Sequence, residues 1–490
     1  MSDKPAVRTK PNILLITTDT QRCDTLRCMG NPHAISPNID RLAGEGVLFE
    51  QAHTSSPVCS PARCSLLTGL HAPIHGCIEN GMARYGFLPV FPDFLKEQGY
   101  TNIMVGKTHF GPVPDSFDVK YSMIPKGDKD NEYTRHLKKH GYSQPEEHPN
   151  PIPEELYFES FVVDLTIREI ENALEASQGP FFAYCSLHAP HGPLVPPGKW
   201  ANIYDGIPLP DVIDIAGEHT NLPAHIRNLL GMGDRPGPAK ERLDKLSDAY
   251  RAIEEHRKLY YGFAAYCDAQ VGRLLDFLDK SGLRENTLII FSSDHGHQLY
   301  DHGFGNKHNY YDSSWRVPLI MSMPGTLPQG ERRDFAIWND ITATILGAAG
   351  TKCETMQGFD LFTPLAQGLP SPRRCAVGTL YKSAALATRR WKLEYHLERS
   401  EGRLYDRVND PHELNDLFAD PNYAEVRQAM LMALLTWRAD IADLHSMVTG
   451  IRNGGPVAKR TARLTLSMKG TDAERRLNEK AEAIDAGKFH

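Results

Sequence analysis

The run Asn12-Ile13-Leu14-Leu15-Ile16-Thr17-Thr18, closed by Asp19, decides the fold class. It is continuously apolar and β-leaning, as a strand covered on both faces of a parallel sheet would be. Residues 288–293 (LIIFSS) have the same form and stop at Asp294. Polar residues directly after buried strands stand at the carboxyl edge of a sheet, where open α/β folds place their ligands. Asp19 and Asp294 therefore mark two walls of one prospective site.

Outward from these strands, helical spacing of apolar residues predicts helices over 37–45, 92–98, 158–176 and 245–281, the last carrying Leu259, Phe263, Tyr266, Val271, Leu274, Leu275 and Leu278. Residues 181–187 and 319–323 read as further strands. The alternation predicts an α/β fold with a mostly parallel central sheet flanked by helices. Two stretches rich in Pro, Gly and charge, 112–153 and 196–240, read as surface excursions rimming the site. Beyond about residue 369 the short strand-like segments 375–380, 385–396 and 403–405 and a helix over 423–439 indicate a small α+β subdomain. The expected division is a catalytic core over 1–370, a subdomain over 371–445 and a tail over 446–490. The tail reads as solvated, or else as an arm on a neighbouring copy in a homo-oligomer.

Composition narrows the function classes. The chain of 490 residues is 41% apolar and 23% charged, which places it among soluble globular proteins. Lys plus Arg at 54 against Asp plus Glu at 61 gives −7, so there is no basic footprint for nucleic acid or an anionic membrane. Any bound anion must be held by a local site. The nine cysteines are odd in number and lack C-x-x-C spacing, which argues against a disulfide framework. Residues 13–16 form too short an apolar burst for a signal peptide or a span, and the expected location is cytoplasmic.

Cys59-Ser60-Pro61-Ala62-Arg63, followed by Ser65-Leu66-Leu67-Thr68-Gly69, resembles the sulfatase signature, Cys-x-Pro-x-Arg followed by Thr-Gly. Further landmarks keep family order: SPNIDRLAGEGVLFEQAH (36–53), GKTH (106–109), HAPHGP (188–193) and YCDAQVGRLLDFLDKSGL (266–283). They continue with SSDHG (292–296), GNKHNYYDSSWRVP (305–318) and LYDRVNDPHELNDL (404–417). The resemblance runs to about residue 445. It implies an alkaline-phosphatase-like core, a small C-terminal subdomain, and a Cys59 that a separate maturation enzyme oxidises to formylglycine.

The implied chemistry explains the residue types. A sulfated serine would need water to attack a hindered, anionic sulfur, whereas the aldehyde hydrate offers one hydroxyl to attack sulfur and a second whose deprotonation expels sulfate. The resemblance assigns Asp19, Cys59, Asp294 and His295 to one divalent metal ion. It departs from the family where Asp19 is followed by Thr20 rather than a second aspartate, and where Asp294 is followed by His295 rather than asparagine. A less anionic, partly nitrogen-donating set favours Mn²⁺ over Ca²⁺, with identity open between them. Arg63 is implied to hold the hydrate and the carboxylates. Lys107 and Lys307 match cations that clamp the nucleophile and sulfate oxygens. His109 and His191 match the family's two active-site histidines, His191 being assigned to the leaving-group side, where it or Lys307 protonates the departing alcohol, and His109 to the base for collapse. Asn80 is a candidate substrate donor or a turn residue, and His188, His302 and His308 read as peripheral. The expected reaction is hydrolysis of an aryl or alkyl sulfate monoester. The alternatives are a phosphonate monoester hydrolase or phosphodiesterase with the same machinery, and a silent metal-binding scaffold.

Overall fold

The computed structural model describes residues 10–125, 130–143, 150–177, 179–214, 246–450 and 470–489. The run that opens the chain forms β1 (Asn12–Thr18), fully buried. The other strands of the main sheet are β2 (Val47–His53), β3 (Thr101–Gly106), β4 (Val119–Ser122), β5 (Phe181–Ser186), β6 (Thr287–Ser293), β7 (Leu319–Ser322) and β8 (Glu331–Ile337). They lie in the order β4-β3-β5-β1-β6-β7-β2-β8. Every neighbouring pair is parallel except the two made by β7. Leu14 and Ile16 join the apolar core on one face, with residues of the helices α1 (Pro37–Gly44) and Phe158–Ala176. Ile13 and Leu15 join the core on the other face, with α2 (Cys59–Thr68) and Trp338–Ala348. The alternation of pleat direction along β1 is thus spent on two cores rather than on core and solvent.

Several strands escape the sequence patterns. β2, β3 and β8 carry polar residues (Glu50, Gln51, Asn102, Arg332, Arg333) that mask an apolar run. β4 comes from within the first excursion and lies at the sheet's edge, where half of it is open to solvent. The same excursion holds the helix Glu132–Lys139, capped reciprocally by Asn131 and Thr134. Parts of both excursions, 126–129, 144–149 and 215–240, lie outside the described residues.

The C-terminal part is a four-stranded antiparallel sheet, β12-β11-β10-β9, built from β9 (Ala376–Leu380), β10 (Ser383–Ala387), β11 (Trp391–His396) and β12 (Glu401–Asp406). The single segment expected over 385–396 is two strands. Thr388 turns the chain between them, its backbone N–H reaching the Trp391 carbonyl at 2.8 Å and its hydroxyl accepting from the Trp391 N–H at 3.0 Å. No Gly or Pro marks this turn, which is why the pattern reads through it. Helix Ala424–Gly450 packs against this sheet.

The tail departs most from expectation. Asp472–Asp485 is a helix packed on Ala424–Gly450 of the same chain, with one face buried rather than solvated throughout. Ala473, Leu477, Ala481 and Ile484 are buried at helical spacing. Glu474 beside them is fully buried and accepts from Arg373 (2.8 Å) and Trp437 Nε1 (2.8 Å), with His71 Nε2 at 3.0 Å. The apolar face is short because one core position is filled by this charge. Residues 451–469 lie outside the described residues. Among the described residues no helix is long and apolar enough to cross a membrane.

Candidate active site

β3, β5, β1 and β6 are consecutive in the sheet, and each delivers a polar residue at its carboxyl end: Lys107, His188, Asp19 and Asp294. Register makes this a site. Thr18 lies opposite Ser293, which sets Asp19 beside Asp294, and Gly106 lies opposite Ser186. Two antiparallel steps through β7 leave β2 parallel to β6, so its carboxyl end points to the same edge and leads into α2. α2 begins at Cys59, and all of its residues are buried. Its N-terminus has no side-chain cap from Val58; the Ser60 N–H instead donates to Asn80 Oδ1 at 3.0 Å. Asn80 is exposed in its loop and thus holds the start of the helix that carries Cys59.

Asp19 Oδ1, Cys59 Sγ, Asp294 Oδ1 and His295 Nε2 form the centre. One ligand atom from each of these four buried residues lies within 4.8 Å of the others. The Cys59 sulfur is 3.2 Å from His295 Nε2, 3.9 Å from Asp19 Oδ1 and 3.0 Å from Lys307 Nζ. His295 Nδ1 is 2.8 Å from the Gly296 carbonyl. A carbonyl only accepts, so the proton sits on Nδ1 and Nε2 presents its lone pair to the cluster, the orientation a metal-ligating imidazole requires. The outer carboxylate oxygens are already anchored. Arg63, one helical turn after Cys59, donates to Asp294 Oδ2 at 2.8 Å and to Asp19 Oδ2 at 3.1 Å, and Lys107 pairs with Asp19 Oδ2. The inner oxygens face the cluster: Asp19 Oδ1 lies 3.9 Å from the Cys59 sulfur, and Asp294 Oδ1, 3.7 Å from His295 Nε2, also accepts from the backbone N–H groups of Thr20 and His295 at 3.1 and 3.0 Å. Two anionic oxygens, one neutral nitrogen and the residue-59 side chain fit a divalent cation of borderline hardness.

Electrostatics follow from this packing. Burial pushes the Asp19 carboxyl up, but Lys107, His191, Arg63 and Lys307 outweigh it and hold the group well below the usual carboxylate range. Burial and Asp19 likewise push the Cys59 thiol up, while Lys107 and Lys307 hold it well below its ordinary value. Burial opposes the charge on Lys307, yet Cys59, Asp19 and Asp294 keep its ammonium above the usual lysine value. The site is a low-dielectric, cation-rich pocket that favours small oxyanions.

The remaining predicted residues sit as follows. His109 lies two residues beyond Lys107 at φ +55°, with Nδ1 buried and unpartnered among the described residues. His191 Nδ1 is 2.8 Å from the Gly192 carbonyl, so its Nε2 carries a proton only in the cationic form. His188 packs against it, ring centroids 4.8 Å apart. His302 stacks on Tyr311 at 3.6 Å, and His308 Nε2 stands 3.6 Å from Glu79 Oε1. Sequence reasoning missed the residues that fix Arg63. Its Nη1 donates to Ser186 Oγ at 2.8 Å, the Lys107 carbonyl at 3.0 Å and Tyr184 Oη at 3.3 Å. Tyr184 and Ser186 lie inside β5, and their only sequence signal is a polar end to a buried strand.

Fold and site together define a hydrolase of anionic esters on an alkaline-phosphatase-like α/β scaffold. The family model described as Sulfatase matches residues 11–351, and one described as N-sulphoglucosamine sulphohydrolase, C-terminal, matches residues 300–440. An uncharacterized sulfatase, YidJ, of Escherichia coli is 30% identical over 467 residues, covering 89% of this chain and 88% of that one. An N-acetylglucosamine-6-O-sulfatase of Bacteroides thetaiotaomicron is 26% identical over 488 residues, covering 87% and 86%. The crystal structure of a phosphonate monoester hydrolase of Agrobacterium radiobacter shares the fold, with a TM-score of 0.77 at 24% identity over 88% of this chain and 96% of that chain. The chain belongs to the sulfatase family of the alkaline-phosphatase-like superfamily and is a sulfuric ester hydrolase. Members of this family need a metal ion and a formylglycine.

Proposed function

We propose that the protein hydrolyses a sulfate monoester of an alcohol or phenol, with Cys59 converted to formylglycine by a maturation enzyme that reads residues 59–63. The observation that carries this reading is the convergence on Cys59 Sγ of Asp19, His295 and Lys307, with Arg63 tying both aspartates together from the same helix. Asp19, Asp294, His295 and the side chain of residue 59 would hold the metal, which supplies charge neutralisation and a lowered hydroxyl pKa. The mixed oxygen and nitrogen donors favour Mn²⁺ over Ca²⁺.

The chain's own groups divide the remaining work. Arg63 keeps the two carboxylates in place and neutralises them. Lys307, 3.0 Å from the Cys59 sulfur, and Lys107, paired with Asp19, bind the sulfate oxygens and the charge that develops on them. His191, whose Nδ1 proton is held by the Gly192 carbonyl, donates from Nε2 to the departing alcohol oxygen in its cationic form. His109 takes the proton whose removal releases sulfate; its unpartnered buried Nδ1 supports a role completed by a ligand. Asn80 acts by capping the Cys59 helix.

Sulfate and phosphonate monoesters each carry one negative charge, so they differ at the third non-bridging position: oxygen in the first, carbon in the second. Donors from Lys107 and His109 facing a carbon substituent would be left unpaired, which makes aryl sulfates the better substrates. Peptide mass spectrometry of residue 59, together with kcat/KM for an aryl sulfate and an aryl phosphonate monoester, tests the reading. Unmodified Cys59 in fully active protein would remove the proposed nucleophile. A ratio favouring the phosphonate would replace the substrate assignment.

A further inference from the structure

Lys307 stands on a loop rather than at a strand end, and its ammonium is 3.0 Å from the Cys59 sulfur. On one side the loop is pinned to the segment after His295: the Gln298 N–H donates to the Asn306 carbonyl at 2.8 Å, and Gln298 Nε2 donates to Asn309 Oδ1 at 2.7 Å. On the other side it runs into the C-terminal subdomain. Tyr310 and Tyr311 are buried, Tyr310 Oη accepting from Ser383 Oγ at 3.3 Å and the Tyr311 ring centre lying 4.3 Å from the Arg403 guanidinium. The short helix that follows, Asp312–Trp315, is held by charge. Lys392 of β11 donates to Asp312 Oδ1 at 2.9 Å, pairs with Glu413, and lies 5.6 Å from the centre of the Trp315 ring. Glu413 Oε2 accepts from the Asp312 N–H at 3.0 Å, and Arg407 stands 3.3 Å from Asp312 Oδ2.

The same short helix holds the approach to Cys59. Trp315 Nε1 donates to the Thr54 carbonyl at 2.8 Å, and the Thr54 N–H donates to the Trp315 carbonyl at 3.0 Å. From β9 the Thr379 N–H donates to the Ser55 carbonyl at 3.0 Å, and a Cβ on the neighbouring Gly378 would lie 2.6 Å from Trp315 Nε1. The chain leaving Lys307 and the chain entering Cys59 therefore meet at Asp312–Trp315. The Lys392 side chain is 2% exposed, a depth at which an ammonium is tolerated only among carboxylates. Without it Asp312 keeps Arg407 alone, Glu413 has no ion-pair partner among the described residues, and the two carboxylates repel each other across the contact. A displacement of about 1 Å at a group that binds the reacting anion costs about a hundredfold in rate.

Resting on the sulfatase reading above, we infer that Lys392 is a positioning residue: by bridging Asp312 and Glu413 it fixes the loop bearing Lys307, and through that loop the distance from the Lys307 ammonium to the side chain of residue 59. The C-terminal subdomain thus governs turnover without touching the sulfate.

A double-mutant cycle on formylglycine-containing enzyme, with 4-nitrophenyl sulfate as substrate, tests this. Lys392→Met should lower kcat/KM by about ten- to a hundredfold. Bound metal, read by metal analysis, should be unchanged, because Asp19, Asp294 and His295 follow β1 and β6 in the middle of the sheet. In the Lys307→Ala background the same substitution should cost less than about threefold, since the ammonium it positions is gone. Glu413→Gln, whose amide oxygen can still accept from the Asp312 N–H, should show the same pattern and serves if Lys392→Met does not fold. Equal losses in both backgrounds overturn the inference, and so does wild-type kcat/KM in Lys392→Met. Loss of metal in step with activity overturns it as well, since Lys392 then supports the fold alone. If matured wild-type enzyme turns over no sulfate ester, the sulfatase reading fails. In that case, or if Lys307→Ala is too slow to assay, amide hydrogen exchange decides the positioning. Faster exchange in Lys392→Met at residues 305–312, with residues 12–19 and 288–296 unchanged, supports it; exchange unchanged at 305–312, or raised throughout, overturns it.

Discussion

Glu474→Gln should destabilise the protein by an amount that the buried network around it allows one to work out. Glu474 sits on the terminal helix and bonds Arg373, Trp437 and His71, all inside the chain. Arg373 is shared with Asp340 through Nε at 2.6 Å and Nη2 at 2.7 Å. Burial pushes the Glu474 carboxyl up, but Arg373 and His71 outweigh it and bring it from about 4.5 down to about 2. At about 1.4 kcal/mol for each tenfold change, that depression corresponds to roughly 3 kcal/mol of stability at neutral pH. This is a large fraction of a typical total of about 5–15 kcal/mol. The direction with pH follows from the lowered value: the contribution is complete above about 4.5 and is lost as pH falls toward about 2. Urea denaturation of wild type and Glu474→Gln, from pH 7 downward, should show a gap of a few kcal/mol at pH 7 that narrows below about pH 4.5. A gap under about 1 kcal/mol at pH 7, or one that persists undiminished in acid, would refute the argument that this ion pair anchors the terminal helix.

Asp19→Asn and Asp294→Asn should each remove bound metal and activity together, read by metal analysis alongside turnover; full activity in exhaustively chelated, metal-free protein would contradict the ligand assignment. His295→Ala should change the order of activation by Mn²⁺ and Ca²⁺ more than it changes the melting temperature, and an unchanged order would make His295 a neighbour rather than a ligand. His191→Asn should lower kcat by about 10²–10⁴ for alkyl sulfates, whose alkoxide needs a proton, and far less for 4-nitrophenyl sulfate. Equal losses on both would remove its role as the acid. Arg63→Lys keeps one charge but cannot span both aspartates, so activity should fall at least about a hundredfold with metal affinity, as expected where a planar fork is replaced by a point charge.

Much of the site could be read because its residues lie in short, contiguous runs. The strand ends at Asp19 and Asp294 follow from where a buried apolar run must stop, and the pentapeptide from Cys59 to Arg63 is legible through its resemblance to the sulfatase signature. Tyr184 and Ser186, which hold Arg63, could not be distinguished from ordinary β5 residues, since only their cross-strand neighbours give their hydroxyls a purpose. Glu159 reads as a charge in the first turn of a helix, and its burial beside the His191 loop depends on contact with a segment 30 positions away.

Local pattern determined the α/β class and the two anchoring strands, because apolar periodicity and strand termination act within a few residues, while resemblance to the sulfatase signature marked the chemistry-bearing runs. The tertiary structure alone decided how those runs meet. Sheet order set β3, β5, β1 and β6 side by side, and register aligned Asp19 with Asp294. It also folded the terminal helix back onto its own subdomain. The polar surface of that helix predicts solvent, yet Glu474 is buried because Arg373, brought close only by folding, supplies the charge that makes its desolvation tolerable.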